Sequence, residues 1–448
     1  MSVACSICRA EFPTEKGFRR EGIGKGRYRR LCPGCCDRRA ESASVFSLLS
    51  FVASFITGVL LIVFTKDLMI GRCFLFLGTF YLAFIGSIVI HELGHALAAL
   101  AVGLRLFTIQ IGQGGRLLSV QRFWKYDVAF YSDPLGGGRV VWSPKHLRGL
   151  RWRMFFMILA GPLTNAILIA IAAWLLAEIA IHDVSRTILY ATIAENIMLL
   201  GCSVFPWMIS SGHGQRIPND GRQLLTTPFL SIKAREELHA ATFFLELLEA
   251  LERDQIDDAK GWLAKGIESY PVNKWIDFGN ARILEHDGNY SAARDAYFAA
   301  INQPEITPHV RAAVANNIAW VNLLIADSKL LAEADQFSRQ ALEEIPWEPS
   351  IKRTRGSVLI ELGQIEEGVR LVEQARWGNY SNANKALNAC YLALAASRQG
   401  NAGQAKKYLD EVRRRDPKCV LLERVEKELS NPKISPSIAA PVVKDNPE

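Results

Sequence analysis

The residues best placed to do chemistry are His91, Glu92 and His95 in the stretch His91-Glu92-Leu93-Gly94-His95. On a helix, imidazoles at i and i+4 share one face a turn apart, so both can reach one zinc ion while Glu92 handles protons at the same spot. That is metallohydrolase chemistry. From Phe74 to Val102 these three are the only Asp, Glu, His, Lys or Arg side chains, and such groups at membrane depth are costly enough to imply a function. A catalytic zinc usually takes three protein ligands. Asp220 is the leading candidate for the third because it follows a proline-rich break after the last apolar run, and His213 is a rival. Asn165, in Ala160-Gly161-Pro162-Leu163-Thr164-Asn165, offers an amide at membrane depth where proline and glycine let backbone open or helices approach. Its alternative role is to join helices.

A second cluster pairs Cys5 and Cys8 with Cys32 and Cys35, a spacing that suits a four-thiolate structural zinc site, with Cys36 as a spare. Unmetallated buried cysteines are the alternative. So short a module depends on metal for its stability. The arginines between the two pairs are expected to meet anionic headgroups or to set topology, and nucleic acid is not an expected partner.

The elements that must carry these groups follow from apolar patterning. Four runs near the ~20 residues that a bilayer core requires lie at about Ser44–Phe64, Arg72–Val102, Met154–Ile181 and Thr187–Ile209. The 105–153 loop is rich in arginine and lysine, so positive-inside counting puts the N-terminus, this loop and everything after the fourth run in the cytoplasm. At 1.5 Å per residue, His91, His95 and Asn165 would share a depth of about 12–18 Å. Asp220 must then fold back to reach them. Within the loop, Phe107–Gly112, Asp127–Tyr131 and Arg139–Trp142 read as strands around the glycine turn of Pro134–Gly138. An open edge there could pair with an extended substrate, or the sheet could only brace the helices. Glu195 and Asn196 in the fourth run read as pore-facing or paired, without an assigned role.

Half of the 448 residues are hydrophobic, and they concentrate between Val45 and Ile209. Much of the net charge of +7 flanks the apolar runs. Nine scattered or paired cysteines are not a disulfide scaffold, and the first apolar run reads as an uncleaved anchor. Beyond Glu236 the pattern is helical hairpins. Ala259, Ala293, Ala334, Gly368 and Ala405 fall at equivalent positions, with Gly266, Ala300, Ala341, Ala375 and Val412 seven residues later and Gly288, Gly363 and Gly400 at turns. This spacing resembles tetratricopeptide repeats. The expected fold class is mainly α: a polytopic helical membrane core with a small β element, an N-terminal zinc-ribbon-like module and a C-terminal α-solenoid. The expected boundaries are 1–43 for the cysteine module, 44–225 for the four-span core, 226–430 for the repeats and 431–448 for a disordered tail.

In that order, His91-Glu92-Leu93-Gly94-His95, Pro134-Leu135-Gly136-Gly137-Gly138, Ala160-Gly161-Pro162 with Asn165, and Asp220-Gly221 resemble the site-2 protease family of intramembrane zinc metalloproteases. The resemblance covers roughly residues 72–225. It implies that His91, His95 and Asp220 bind a catalytic zinc and that Glu92 is the general acid/base. It further implies that Asn165 positions substrate or stabilises the oxyanion. One departure is that Ser203 stands where the family commonly has asparagine, and the stretch from Pro206 to Asp220 is long. The implied substrate is a membrane-spanning protein, with membrane lipids around the core and a protein or peptide partner on the repeats. The expected location is a bacterial inner membrane. A non-catalytic scaffold on a degenerate protease core is the competing class, and its mark would be loss of Glu92 or a ligand.

Overall fold

The computed structural model describes the chain from Pro33 to Ser430 apart from the links 66–67, 113–116, 124, 133–136, 179–181, 211–215, 304–305 and 377–380, with only short strands before Pro33. Cys5, Cys8, Cys32, His213 and the tail from 431 lie outside the described residues, as does the side chain of Cys35. The chain divides into two compact units, one chiefly Glu15–Pro304 and the other chiefly Glu305–Glu448.

In the first unit, α1 (Pro33–Leu60) continues through a wider helical turn at Leu61–Thr65 and is followed by α2 (Leu68–Ala101). Later come α3 (Leu150–Glu178) and α4 (Asp183–Val204). All four are long and apolar enough to cross a membrane. Their outward faces carry exposed apolar side chains, among them Phe64, Leu97, Leu163 and Trp174. Such a surface is unsuited to water and suited to lipid. Helices α1 and α2 touch nearly backbone to backbone, since a β-carbon on Gly58 would meet Leu75 and one on Gly78 would meet Phe55. The fourth span stops at Val204, not Ile209. Pro206 lacks the amide hydrogen a helix needs, and Met208 and Ile209 instead enter a strand.

Between α2 and α3 lies a four-stranded sheet of β1 (Leu104–Ile111), β2 (Leu117–Phe123), β3 (Tyr126–Tyr131) and β4 (Gly138–Pro144), in the order β2-β3-β1-β4. β1 pairs parallel with β3 and antiparallel with β4. The extra strand, β2, lies at an edge with apolar Leu118, Val120 and Phe123 exposed. Leu106, Ile109 and Ile111 pack with Ala96 of α2, which seats the sheet against the helix carrying the histidines.

After α4 the hairpin of β5 (Met208–Ser210) and β6 (Arg216–Pro218) returns the chain to α5 (Asp220–Thr226). The next helix, α6 (Ile232–Glu252), is tied to the sheet. Arg105 donates to Glu246 and Glu249 at 2.8 Å each, Arg122 donates to Glu249 at 3.0 Å, and Thr242 donates to Pro144 O at 3.0 Å. Two of the basic loop residues therefore answer acids on α6, and the loop and α6 lie at the same end of the spans.

Helical hairpins account for the rest. In the first unit α6 pairs with α7 (Ile256–Ser269) and α8 (Lys274–His286) with α9 (Tyr290–Ile301). In the second unit α10 (Pro308–Ile325) pairs with α11 (Leu331–Glu344), α12 (Pro349–Glu361) with α13 (Ile365–Arg376), and α14 (Asn382–Arg398) with α15 (Ala402–Arg415), before α16 (Leu422–Ser430). All ten small residues aligned in the sequence are buried. Gly288, Gly363 and Gly400 take φ of +76°, +81° and +76° at the turns. The two hairpins without that glycine use Asp254 and Ala326 at φ of 59° and 57°, which costs a residue with a β-carbon some strain.

Candidate metal centre

His91 and His95 share one face of α2, with Nε2 atoms 3.2 Å apart and rings edge to face. Asp220 Oδ2 lies 3.0 Å from His91 Nε2 and 3.4 Å from His95 Nε2. Tetrahedral zinc with bonds of about 2.0–2.1 Å spaces its ligand atoms about 3.3 Å apart. The three edges here match one face of such a tetrahedron, so the donor set fits zinc. The outer nitrogens are also engaged, with His91 Nδ1 2.6 Å from Asn165 Oδ1 and His95 Nδ1 2.8 Å from Met157 O. Both acceptors lack a proton to give, so each ring carries hydrogen on Nδ1 and turns the Nε2 lone pair inward.

Helix α3 comes this close because of its glycine. A β-carbon on Gly161 would run into His95 Nε2 and His91 Nε2, and one on Gly94 of α2 would meet Thr164 and Ala160 O. Pro162 interrupts the hydrogen-bond ladder in the same turn.

Asp220 arrives as the first residue of α5, and Asn219 places it. Asn219 Oδ1 accepts from Arg222 N at 3.1 Å and Trp207 N at 3.2 Å, and its Nδ2 donates to Cys202 O, Ser203 O and Phe205 O at 2.8, 3.2 and 2.6 Å. The side chain thus caps α5 and also takes up three carbonyls freed at the end of α4. Gly221 permits the approach, since a β-carbon there would collide with Val204 O. The long stretch after Pro206 is the β5–β6 hairpin, and it delivers Asp220 to the histidines.

Glu92 is buried at 6% exposure, and β4 starts against it, because a β-carbon on Gly138 would meet its Cγ, Cδ and Oε1. Asn165 is wholly buried with both polar atoms engaged, Oδ1 toward His91 and Nδ2 donating to Asn196 Oδ1 at 2.8 Å. Of the residues singled out in the sequence, the structure brings together His91, His95, Asp220 and Asn165, with Glu92 beside them. His213 and the thiolates of the N-terminal cluster fall outside the described residues. Sequence reasoning gives no role to Asn219, although asparagine before aspartate at a helix start is a readable cap signal.

A helical membrane core that buries a two-histidine, one-carboxylate centre beside a glutamate defines a membrane metallopeptidase. The chain belongs to Peptidase family M50, which it matches over residues 79–362. It carries an M50 intramembrane metalloprotease domain and is a multi-pass integral membrane protein. No curated protein matches it. Among solved structures, the chain is similar to a thermophilic TPR protein of Thermus thermophilus, at 14% identity and TM-score 0.33, covering 43% of this chain and 99% of that one. It is also similar to pilF of Pseudomonas aeruginosa, at 15% identity and TM-score 0.30, covering 59% and 97%. A third, YrrB, described as a TPR protein with an unusual peptide-binding site, has 14% identity and TM-score 0.28, covering 44% and 95%.

Proposed function

We propose that the chain is a zinc endopeptidase that hydrolyses peptide bonds of membrane-spanning proteins, with His91, His95 and Asp220 as zinc ligands and Glu92 as general acid/base. The observation that carries this is the triangle of donor atoms at 3.0, 3.2 and 3.4 Å, which converge from α2 and α5. Zinc held there would supply Lewis acidity, lowering the pKa of a water and polarising a peptide carbonyl. The Glu92 carboxylate accepts a proton from the attacking water and passes it to the amine nitrogen as the C–N bond breaks. Its burial beneath the start of β4 keeps that proton transfer away from bulk solvent.

A transmembrane substrate hides its peptide bonds in helical hydrogen bonds, so it must unwind before cleavage. β4 is an edge of the sheet and begins against Glu92, which supports pairing of the unwound segment along that edge. The core is taken as 44–225 and the repeats as 226–430. The repeats offer hairpin surfaces for a protein or peptide partner, and the cytoplasmic side of a bacterial inner membrane is the proposed place for the 105–153 loop and α6. A second zinc on Cys5, Cys8, Cys32 and Cys35 remains part of the proposal on spacing alone.

The test is Glu92→Gln. It should abolish cleavage and leave zinc bound, and membrane proteomics should show uncleaved substrates accumulating. Ordinary turnover by Glu92→Gln would sink the mechanism, and absence of cleavage by the wild type would favour a scaffold.

A further inference from the structure

The fourth span buries a carboxylate that the proposed chemistry does not use. Glu195 and Asn196 are both fully buried, and Ser87 of α2 is 4% exposed. Ser87 Oγ lies 2.5 Å from Glu195 Oε1, and Asn196 Nδ2 donates to Ser87 Oγ at 3.0 Å and also to Thr192 O and Glu195 Oε1. Asn196 Oδ1 in turn accepts from Asn165 Nδ2 at 2.8 Å, and Asn165 Oδ1 faces His91 Nδ1 at 2.6 Å.

From the histidine outward, every proton points the same way: His91 Nδ1–H to Asn165, Asn165 to Asn196, Asn196 to Ser87, and Ser87 to Glu195. An amide can be turned over with little change in shape, so neither asparagine alone sets this direction. The end of the chain sets it, because the Glu195 oxygen accepts. A carboxylate at membrane depth is costly, and the second oxygen, Oε2, has no hydrogen-bond partner among the described residues. Stability alone does not account for it.

We propose that Ser87, Glu195 and Asn196 are positioning residues that fix the orientation of Asn165, and through it hold His91 in the form whose Nε2 lone pair faces the metal. The proposal rests on His91 being a ligand. Ring partners of this kind typically change metal affinity 10–100-fold when removed.

The test titrates full-length protein in detergent, stripped of metal, with zinc, and then with cobalt(II), whose visible band separates a nitrogen–oxygen set from a thiolate set. Ser87→Ala and Glu195→Leu should weaken the nitrogen–oxygen site about 10–100-fold. Glu195→Gln keeps the shape and packing but puts an amide that can turn over where the accepting carboxylate stood, so it should lose affinity much as Glu195→Leu does, a loss that mere packing at this position would not produce. Unchanged affinity in Ser87→Ala would overturn the relay, as would wild-type affinity in Glu195→Gln. Should Glu195→Leu fail to fold, Ser87→Ala and Glu195→Gln decide. His91→Ala is a separate arm. If it keeps wild-type affinity for the nitrogen–oxygen site, the ligand assignment fails, whatever the relay does.

Discussion

The interior around His91 and the small-residue contacts within the hairpins α10 to α15 follow opposite rules. Around His91, within helices whose outer faces are apolar, the buried groups are Ser87, Glu92, His95, Asn165, Glu195 and Asn196. Ser87, Asn165, Glu195 and Asn196 are held by directional hydrogen bonds to one another, and few neighbours duplicate the job. In the hairpins, Ala334, Ala341, Ala375 and Val412 are 0% exposed and lie among many other small apolar side chains. Apolar contact is non-directional and shared, so no one residue there fixes an atom to a fraction of an ångström. A single change should therefore cost function in the first region and only stability in the second.

The largest effect separating the two belongs to Glu92→Gln. A positioned acid/base contributes about 10²–10⁴-fold, and a loss of that size in a cleavage assay, with zinc unchanged, is expected. Next is Gly161→Ala. Its β-carbon enters the space of both Nε2 atoms, and metal affinity should fall on the order of 10²-fold, within the range seen when ligand supports are lost. Full affinity in that variant would show that α3 does not frame the centre. Asn219→Ala removes the α5 cap and three carbonyl partners. Losing a cap costs about 0.5–2 kcal/mol, so cleavage should drop roughly tenfold, and zinc titration should show the loss at the Asp220 site. Smallest is Gly363→Ala at φ +81°, which should destabilise the hairpin by about 1 kcal/mol in thermal unfolding. Zinc binding should be unaltered, and a change in it would blur the contrast between the regions.

The same contrast governs what the sequence reveals. Periodic features are legible. The i, i+4 histidines, the long apolar spans and the recurrent alanine positions of the hairpins each follow from one geometric repeat. Gly288, Gly363 and Gly400 mark turns for the same reason, whereas Asp254 and Ala326 do that work without a glycine to announce it. Features built by long-range hydrogen bonds are not legible. Asp220 stands out by its order among motifs, yet its return depends on the register of Ser210 with Arg216 and on Asn219 reaching back to Phe205 O. Nothing local encodes either. Glu195 stands out by charge at membrane depth, but its partner Ser87 lies 108 positions earlier on another helix, and only the fold joins them.

The most direct test of the centre is the zinc content of purified protein. About two ions per chain are expected, one lost in Asp220→Ala as in His91→Ala, the other lost in Cys5→Ser. A full complement of zinc in Asp220→Ala, or a single ion lost alike from His91→Ala and Cys5→Ser, would contradict a metal held by His91, His95 and Asp220.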